Sequence, residues 1–130
     1  MARRGSLILL DTHIAVWLYA GLTEKLTPAA THAIEESDLQ LPQMARLELQ
    51  YLREIGRIKT SSRTITDSLR RSIGLRISDG SIDEIARESL MQDWTLDVFD
   101  RMIVSEAKVR QLPLVTADRR IQGHYPGSVW

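Results

Sequence analysis

Asp11, Glu48, Asp97, Asp100 and Asp118 are the residues whose type and placement could do chemistry. Asp11 ends the apolar run Leu7-Ile8-Leu9-Leu10, and Asp118 follows Leu114-Val115-Thr116-Ala117. Short continuous apolar runs fit strands buried on both faces, as in a parallel sheet. Ligand crevices of open α/β sheets lie outside the carboxyl ends of their strands. If both strands are parallel, as right-handed crossovers favour, both aspartates emerge on one edge. Glu48 lies a turn and a half into the helix after Leu39-Gln40-Leu41, where it can look along the helix toward the neighbouring strand ends. Asp100 opens the helix before the fourth strand, one turn from Asp97. Four carboxylates from separate segments (Asp11, Glu48, Asp100 and Asp118) meeting in one cleft repel one another. They persist there only if some stay protonated or a cation compensates them. An all-oxygen donor set suits Mg²⁺ or Mn²⁺. An ion so held can generate a hydroxide and offset charge on a phosphodiester, the chemistry of a metal-dependent nuclease.

Each acid taken singly has a plainer role. Asp11 can cap the helix beginning near His13, and Asp97 the helix that contains Asp100. Asp118 can be a turn aspartate, and Glu48 a solvated helix residue. The pair Asp11 and Asp118, each placed after an apolar strand, makes the functional reading worth pursuing.

The elements that must position these acids alternate strand and helix, which points to βαβ units and a single α/β/α domain with a central parallel sheet. Residues 1–6 read as a flexible start and 7–130 as the domain. After the first strand, Ile14, Trp17 and Leu18 line one face of a short helix that Gly21 ends. Thr27-Pro28 starts the next helix, running to about Ser37. A helix after Pro42 carries Met44, Leu47, Tyr51 and Ile55 on one side and stops at Gly56. A further helix spans about Thr64 to Ile73, and Leu75-Arg76-Ile77 alternates as a third strand candidate. Ser81-x-x-Glu84 matches a capping box opening a helix through Ile85, Leu90 and Met91. The next helix is expected from Val98 to Arg110, then the fourth strand, a turn or small helix over residues 117–122, and a last edge strand at Ser128-Val129-Trp130.

A length of 130 residues allows one domain with a substantial core. The absence of cysteine excludes disulfides, zinc–thiolate sites and cysteine nucleophiles. No apolar run approaches bilayer length. The basic start Met1-Ala2-Arg3-Arg4 is not followed by a signal-peptide core, because Asp11 and His13 interrupt the apolar run; the expected location is the cytoplasm. Net charge is zero, yet residues 53–76 hold seven basic residues against Glu54 and Asp67, a local +5 against −5 elsewhere. Such a segment is ordinarily a solvated helical surface, and beside an acidic remainder it can also hold a phosphate backbone.

Together, Leu10-Asp11-Thr12-His13, a helical Glu48, Asp97-Val98-Phe99-Asp100-Arg101-x-Ile103 and Leu114-Val115-Thr116-Ala117-Asp118 resemble the PIN domain. More narrowly they resemble the VapC toxins of bacterial toxin–antitoxin pairs. The resemblance spans about residue 7 to the end. It implies an α/β/α sandwich, a Mg²⁺- or Mn²⁺-dependent endoribonuclease, a cognate antitoxin and often a homodimer. The family's acids map onto Asp11, Glu48, Asp100 and Asp118. Asp97 matches an additional common acid, and Thr12 and Thr116 match polar positions beside the metal site. Val98 stands where many relatives have proline. Pro42-Gln43-Met44-Ala45 lacks the small hydroxyl residue often found before the helical acid. On this reading Asp11, Asp100 and Asp118 ligate the metal, and Glu48 ligates it or orients water. Arg101, Arg119, Arg120 or the 53–76 segment touch RNA phosphates. Family antitoxins often block the acidic site with a basic side chain. His13 is expected to pack rather than ligate, and His32 and His124 to lie on the surface.

Two other readings compete. A phospho-acceptor signalling domain also clusters aspartates at strand ends, but it needs a lysine at the end of a late strand, and no lysine follows Lys108. A non-catalytic binding module on the same scaffold need not bind Mg²⁺.

Overall fold

The computed structural model describes residues 6–130, so all of the expected N-terminal segment except Ser6 lies outside the described residues. The chain order is β1 (Leu7–Leu10), α1 (Thr12–Ala20), a 3₁₀ turn (Thr23–Lys25), α2 (Pro28–Glu36), β2 (Asp38–Leu41), α3 (Gln43–Glu54), α4 (Ser62–Ile73), β3 (Arg76–Ile77), α5 (Ile82–Ser89), α6 (Val98–Arg110), β4 (Leu114–Val115), α7 (Arg119–His124) and β5 (Ser128–Val129). The strands form one sheet in the order β3-β2-β1-β4-β5. Every pairing is parallel, with Leu9 opposite Leu114 and Leu10 opposite Val115 at the centre.

That order follows from the strand sequences. Leu9, Leu10, Leu41, Leu114 and Val115 have no exposure, as two-sided burial demands. The two edge strands have only two residues each, a length that offers little template for unwanted pairing. From β1 the chain builds outward to β2 and β3. It then returns to place β4 and β5 on the other side. The order therefore reverses between β1 and β4, and the crevice at such a switch point is where open α/β sheets bind ligands. Asp11 follows β1 and Thr116 follows β4 at that point.

Helix ends obey local chemistry. Thr27 caps α2 through a 3.1 Å bond from the Ala30 N–H, with Pro28 in the first turn. Gly74 takes the left-handed conformation (φ 73°) that closes α4. Ser81 caps α5 by accepting the Glu84 N–H, so half of the capping box is present.

One helix ends earlier than its spacing predicts, and another presents its apolar stripe to solvent. The fifth helix stops at Ser89, and Leu90 and Met91 are 74% and 72% exposed. The cause is Gln92, which is buried and bridges the Glu88 carboxylate (2.8 Å) and the Trp94 indole N–H (2.8 Å), turning the two preceding residues outward. On α3 the buried residues are Ala45, Leu49 and Leu52, whereas Leu47, Tyr51 and Ile55 of the apolar stripe face solvent.

A buried polar lock holds α6 against the sheet. Glu106 accepts from the Ser78 hydroxyl and from Arg110 (3.3 Å), and Arg110 also donates to the Gln40 side-chain carbonyl at 2.9 Å. Three segments far apart in sequence are thereby fixed around the helix that carries Asp100. Among the described residues, no helix is long and apolar enough to cross a membrane.

Candidate active site

Asp11 is buried at the carboxyl end of β1, and both its oxygens are committed. Oδ1 accepts the Thr12 N–H at 2.8 Å, and Oδ2 accepts the Thr116 hydroxyl at 2.7 Å. The first bond makes Asp11 the cap of α1. The second spans the switch point between β1 and β4. Thr12 turns its own hydroxyl to Glu48 Oε1 at 2.6 Å, although 36 positions separate them. Thr116 in turn accepts the Asp118 N–H at 3.0 Å. The result is one continuous chain of hydrogen bonds: Glu48, Thr12, Asp11, Thr116, Asp118. The Leu7–Leu10 run ends in an acid because that acid is the middle link.

Asp118 also caps α7, its Oδ1 accepting from the Arg120 N–H (2.8 Å) and the Ile121 N–H (3.1 Å). Asp97 caps α6 by accepting the Asp100 N–H at 2.9 Å. Capping and siting coincide: Asp11, Asp97 and Asp118 each start a helix, and backbone N–H groups fix their side chains.

The acids feel one another. Burial pushes the Asp100 carboxyl up to about 7, helped by the negative charges of Asp97, Asp11, Asp118 and Glu48. Burial also raises Glu48, the Thr12 hydrogen bond opposes this, and the charges of Asp11 and Asp97 add to the rise. Asp11 is raised by burial, against the lowering effect of its bonds from Thr116 and Thr12. All five sequence-derived acids therefore share one electrostatic neighbourhood. Among the described residues, none of them has a lysine or arginine ion-pair partner. The same residues include no group of three Asp, Glu or His side chains closed tightly enough to grip an ion as they stand. The donor set nevertheless fits a hard dication: it is all oxygen, partly buried, and short of positive charge.

The predicted basic contacts separate. Arg101 gives its Nε–H to the Thr95 carbonyl at 2.7 Å, and Arg120 donates to the Trp94 carbonyl. Arg119 is exposed on α7, directly after Asp118. His13 is exposed and tilted against the Trp17 ring, and His32 is also exposed. His124 is on the surface as expected, but it stacks on Trp94 with ring centroids 4.6 Å apart and planes 6° apart. This stack ties α7 to the segment that leads into Asp97. It was hidden in the sequence because the rings lie 30 positions apart with no periodicity linking them.

Comparisons with known proteins bear on the family and the fold. The sequence matches the PIN domain family over residues 8–125. It is 30% identical over 132 residues to Ribonuclease VapC22 of Mycobacterium tuberculosis, covering 95% of this chain and 98% of that protein. The fold is similar to that of VapBC2 from Rickettsia felis bound to a promoter DNA fragment (TM-score 0.60, 19% identity, 95% and 99% of the two chains). It is also similar to a toxin–antitoxin complex from Klebsiella pneumoniae (TM-score 0.59, 20% identity, 95% and 96% of the two chains). The chain belongs to the PIN domain family, among its VapC-like members.

Proposed function

We propose that this protein is a Mg²⁺- or Mn²⁺-dependent endoribonuclease, the toxin of a toxin–antitoxin pair. The observation that carries the reading is the hydrogen-bonded chain from Glu48 to Asp118 at the β1–β4 switch point. The near full-length likeness to Ribonuclease VapC22 supports the choice of RNA. Asp11, Asp100 and Asp118 would hold the ion. When bound, it supplies a hydroxide nucleophile and offsets charge on the phosphodiester.

The chain's own residues perform the positioning. Thr12 and Thr116 hold both Asp11 oxygens, so this carboxylate is oriented before substrate arrives. Glu48 commits Oε1 to Thr12, which leaves Oε2 to accept a proton from water or to serve as a ligand. Asp97 fixes the first turn of α6 and hence Asp100. Arg119, free of protein partners among the described residues, is the nearest arginine in sequence to Asp118 that can meet a phosphate.

Likeness to toxin–antitoxin complexes supports an antitoxin partner. Its natural point of attack is the uncompensated acid cluster, where a basic side chain gains charge-assisted hydrogen bonds. The solvent-facing Tyr51 and Ile55 support a homodimer.

Asp11→Asn tests the reading. Asparagine still caps α1, so the fold is expected to persist by circular dichroism while Mg²⁺-dependent RNA cleavage disappears. A correctly folded variant that cuts RNA at the unaltered rate contradicts the reading.

A further inference from the structure

An acidic cleft repels the polyanion it is proposed to cut, and a chain of zero net charge adds no long-range attraction. Positive charge has to be supplied locally. It lies in a groove of about 850 Å³ between α3, α4 and the edge strand β3. Arg46, Arg63, Arg70 and Arg76 line that groove, with Asp67 as its single acid. Arg46 is bound to the neutral Gln43 at 2.7 Å. Arg63 meets Asp67 only at 4.0 Å, with both side chains well exposed, a pair worth little in water. Arg70 and Arg76 have no ion-pair or hydrogen-bond partner from their side chains among the described residues.

The groove is built before any ligand arrives. The Ser62 hydroxyl donates to the Arg46 carbonyl at 2.6 Å, and Gln50 accepts the Ser62 N–H at 3.2 Å, pinning α4 to α3. Gln43 donates to the Ser78 carbonyl at 2.6 Å, pinning α3 to the end of β3. Arg63 and Arg70 lie seven residues apart on α4, a rise of roughly 10 Å along one helix face.

The groove and the acid cluster share α3. Leu47 lines it, and the next residue, Glu48, reaches Thr12 on the other flank of the same helix. β3 lies two strands from β1, a lateral distance of roughly 10 Å.

We infer that this groove is a phosphate-backbone site for single-stranded RNA, holding the strand beside the point where the carboxylates would cut it. The inference rests on the ribonuclease reading for the identity of the polyanion. Neutralising guanidiniums favour phosphates, and adjacency to a cleft that repels RNA gives the groove a task that a protein partner alone would not.

Anisotropy of a labelled RNA of about 12 nucleotides, recorded in EDTA to exclude metal-dependent cleavage, tests it. For the full chain carrying Arg70→Gln and Arg76→Gln, affinity is expected to fall at least about tenfold. The slope of log affinity against log salt is expected to become shallower by about 1.4, for two lost phosphate contacts. Arg70→Lys with Arg76→Lys keeps the charge and is expected to retain most of the binding and slope. Circular dichroism checks that all chains fold.

Unchanged RNA affinity and slope in the glutamine variant overturn the inference, as does absence of RNA binding by the unaltered chain. Loss of poly-glutamate binding with RNA binding intact also overturns it, and would assign the groove to an acidic protein segment. If the groove binds RNA but the chain cuts none with Mg²⁺, the ribonuclease reading fails alone. If the chain cuts RNA while binding ignores the arginines, only the groove assignment fails.

Discussion

Thr116 is fully buried and serves two acids at once, donating to Asp11 and accepting the Asp118 N–H. Thr116→Val keeps the shape and removes both bonds. Leaving a buried carboxylate oxygen and an N–H without that hydroxyl is expected to cost about 1–3 kcal/mol of stability. Cleavage is expected to fall about 10- to 100-fold through misdirected acids; melting and rate measurements check the two parts separately. Asp100 gives a pH prediction. Its carboxyl stands at about 7 in the folded, metal-free chain, above the ordinary unfolded value near 4. The folded state therefore binds this proton more tightly. The associated stability is fully present below the unfolded value and is lost as pH rises through about 7. In EDTA, the fall in melting temperature between pH 5 and 8 is expected to be smaller for Asp100→Asn than for the unaltered chain. It does not vanish, because Asp11 and Glu48 are shifted in the same direction. Equal pH dependence in the two proteins would contradict this account of Asp100.

At the level of elements, α7 is anchored by buried Ile121 and by Gln122 donating to the Thr116 carbonyl at 2.9 Å, and Trp94 holds its outer side. His124 stacks on Trp94, and Arg120 donates to the Trp94 carbonyl. His124→Ala is expected to cost no more than about 1.5 kcal/mol. It should still quicken hydrogen exchange at the Arg120 and Ile121 amides, which bond to Asp118, and slow cleavage. Unaltered exchange there would remove the clamp from the account. The same elements show what the sequence discloses. α6 was legible at both ends because Asp97 supplies a cap and Ile103 and Ala107 keep helical spacing on the buried side. The two central strands were legible because full burial leaves unbroken apolar runs. The link from Thr12 to Glu48 was not, since it depends on where α3 crosses α1. The end of α5 lies short of its apolar spacing because that spacing carries no sign of Gln92 turning inward. Apolar content alone did not disclose the face of α3: Ala45, Leu49 and Leu52 form the buried side, and Leu47, Tyr51 and Ile55 point out.

Across the whole molecule, zero net charge conceals a division between an acid cluster and an arginine-rich flank, with α3 as the partition. The outward stripe of α3 continues toward the cleft, where Tyr51 meets Phe99 at 5.4 Å, one residue from Asp100. Tyr51→Glu is expected to shift a dimer to monomer in sedimentation experiments while leaving the melting of each subunit's core nearly unchanged. A wild-type chain that is monomeric at all concentrations would exclude pairing through this face. The central claim is that acids distant in sequence form one pocket short of positive charge, able to take a hard dication. Calorimetric titration of the EDTA-stripped, dialysed chain with Mn²⁺ tests it most directly. Saturable binding is expected, strongly weakened by Asp11→Asn, Asp100→Asn or Asp118→Asn taken singly. No binding by the intact protein, or binding indifferent to all three substitutions, would contradict the claim.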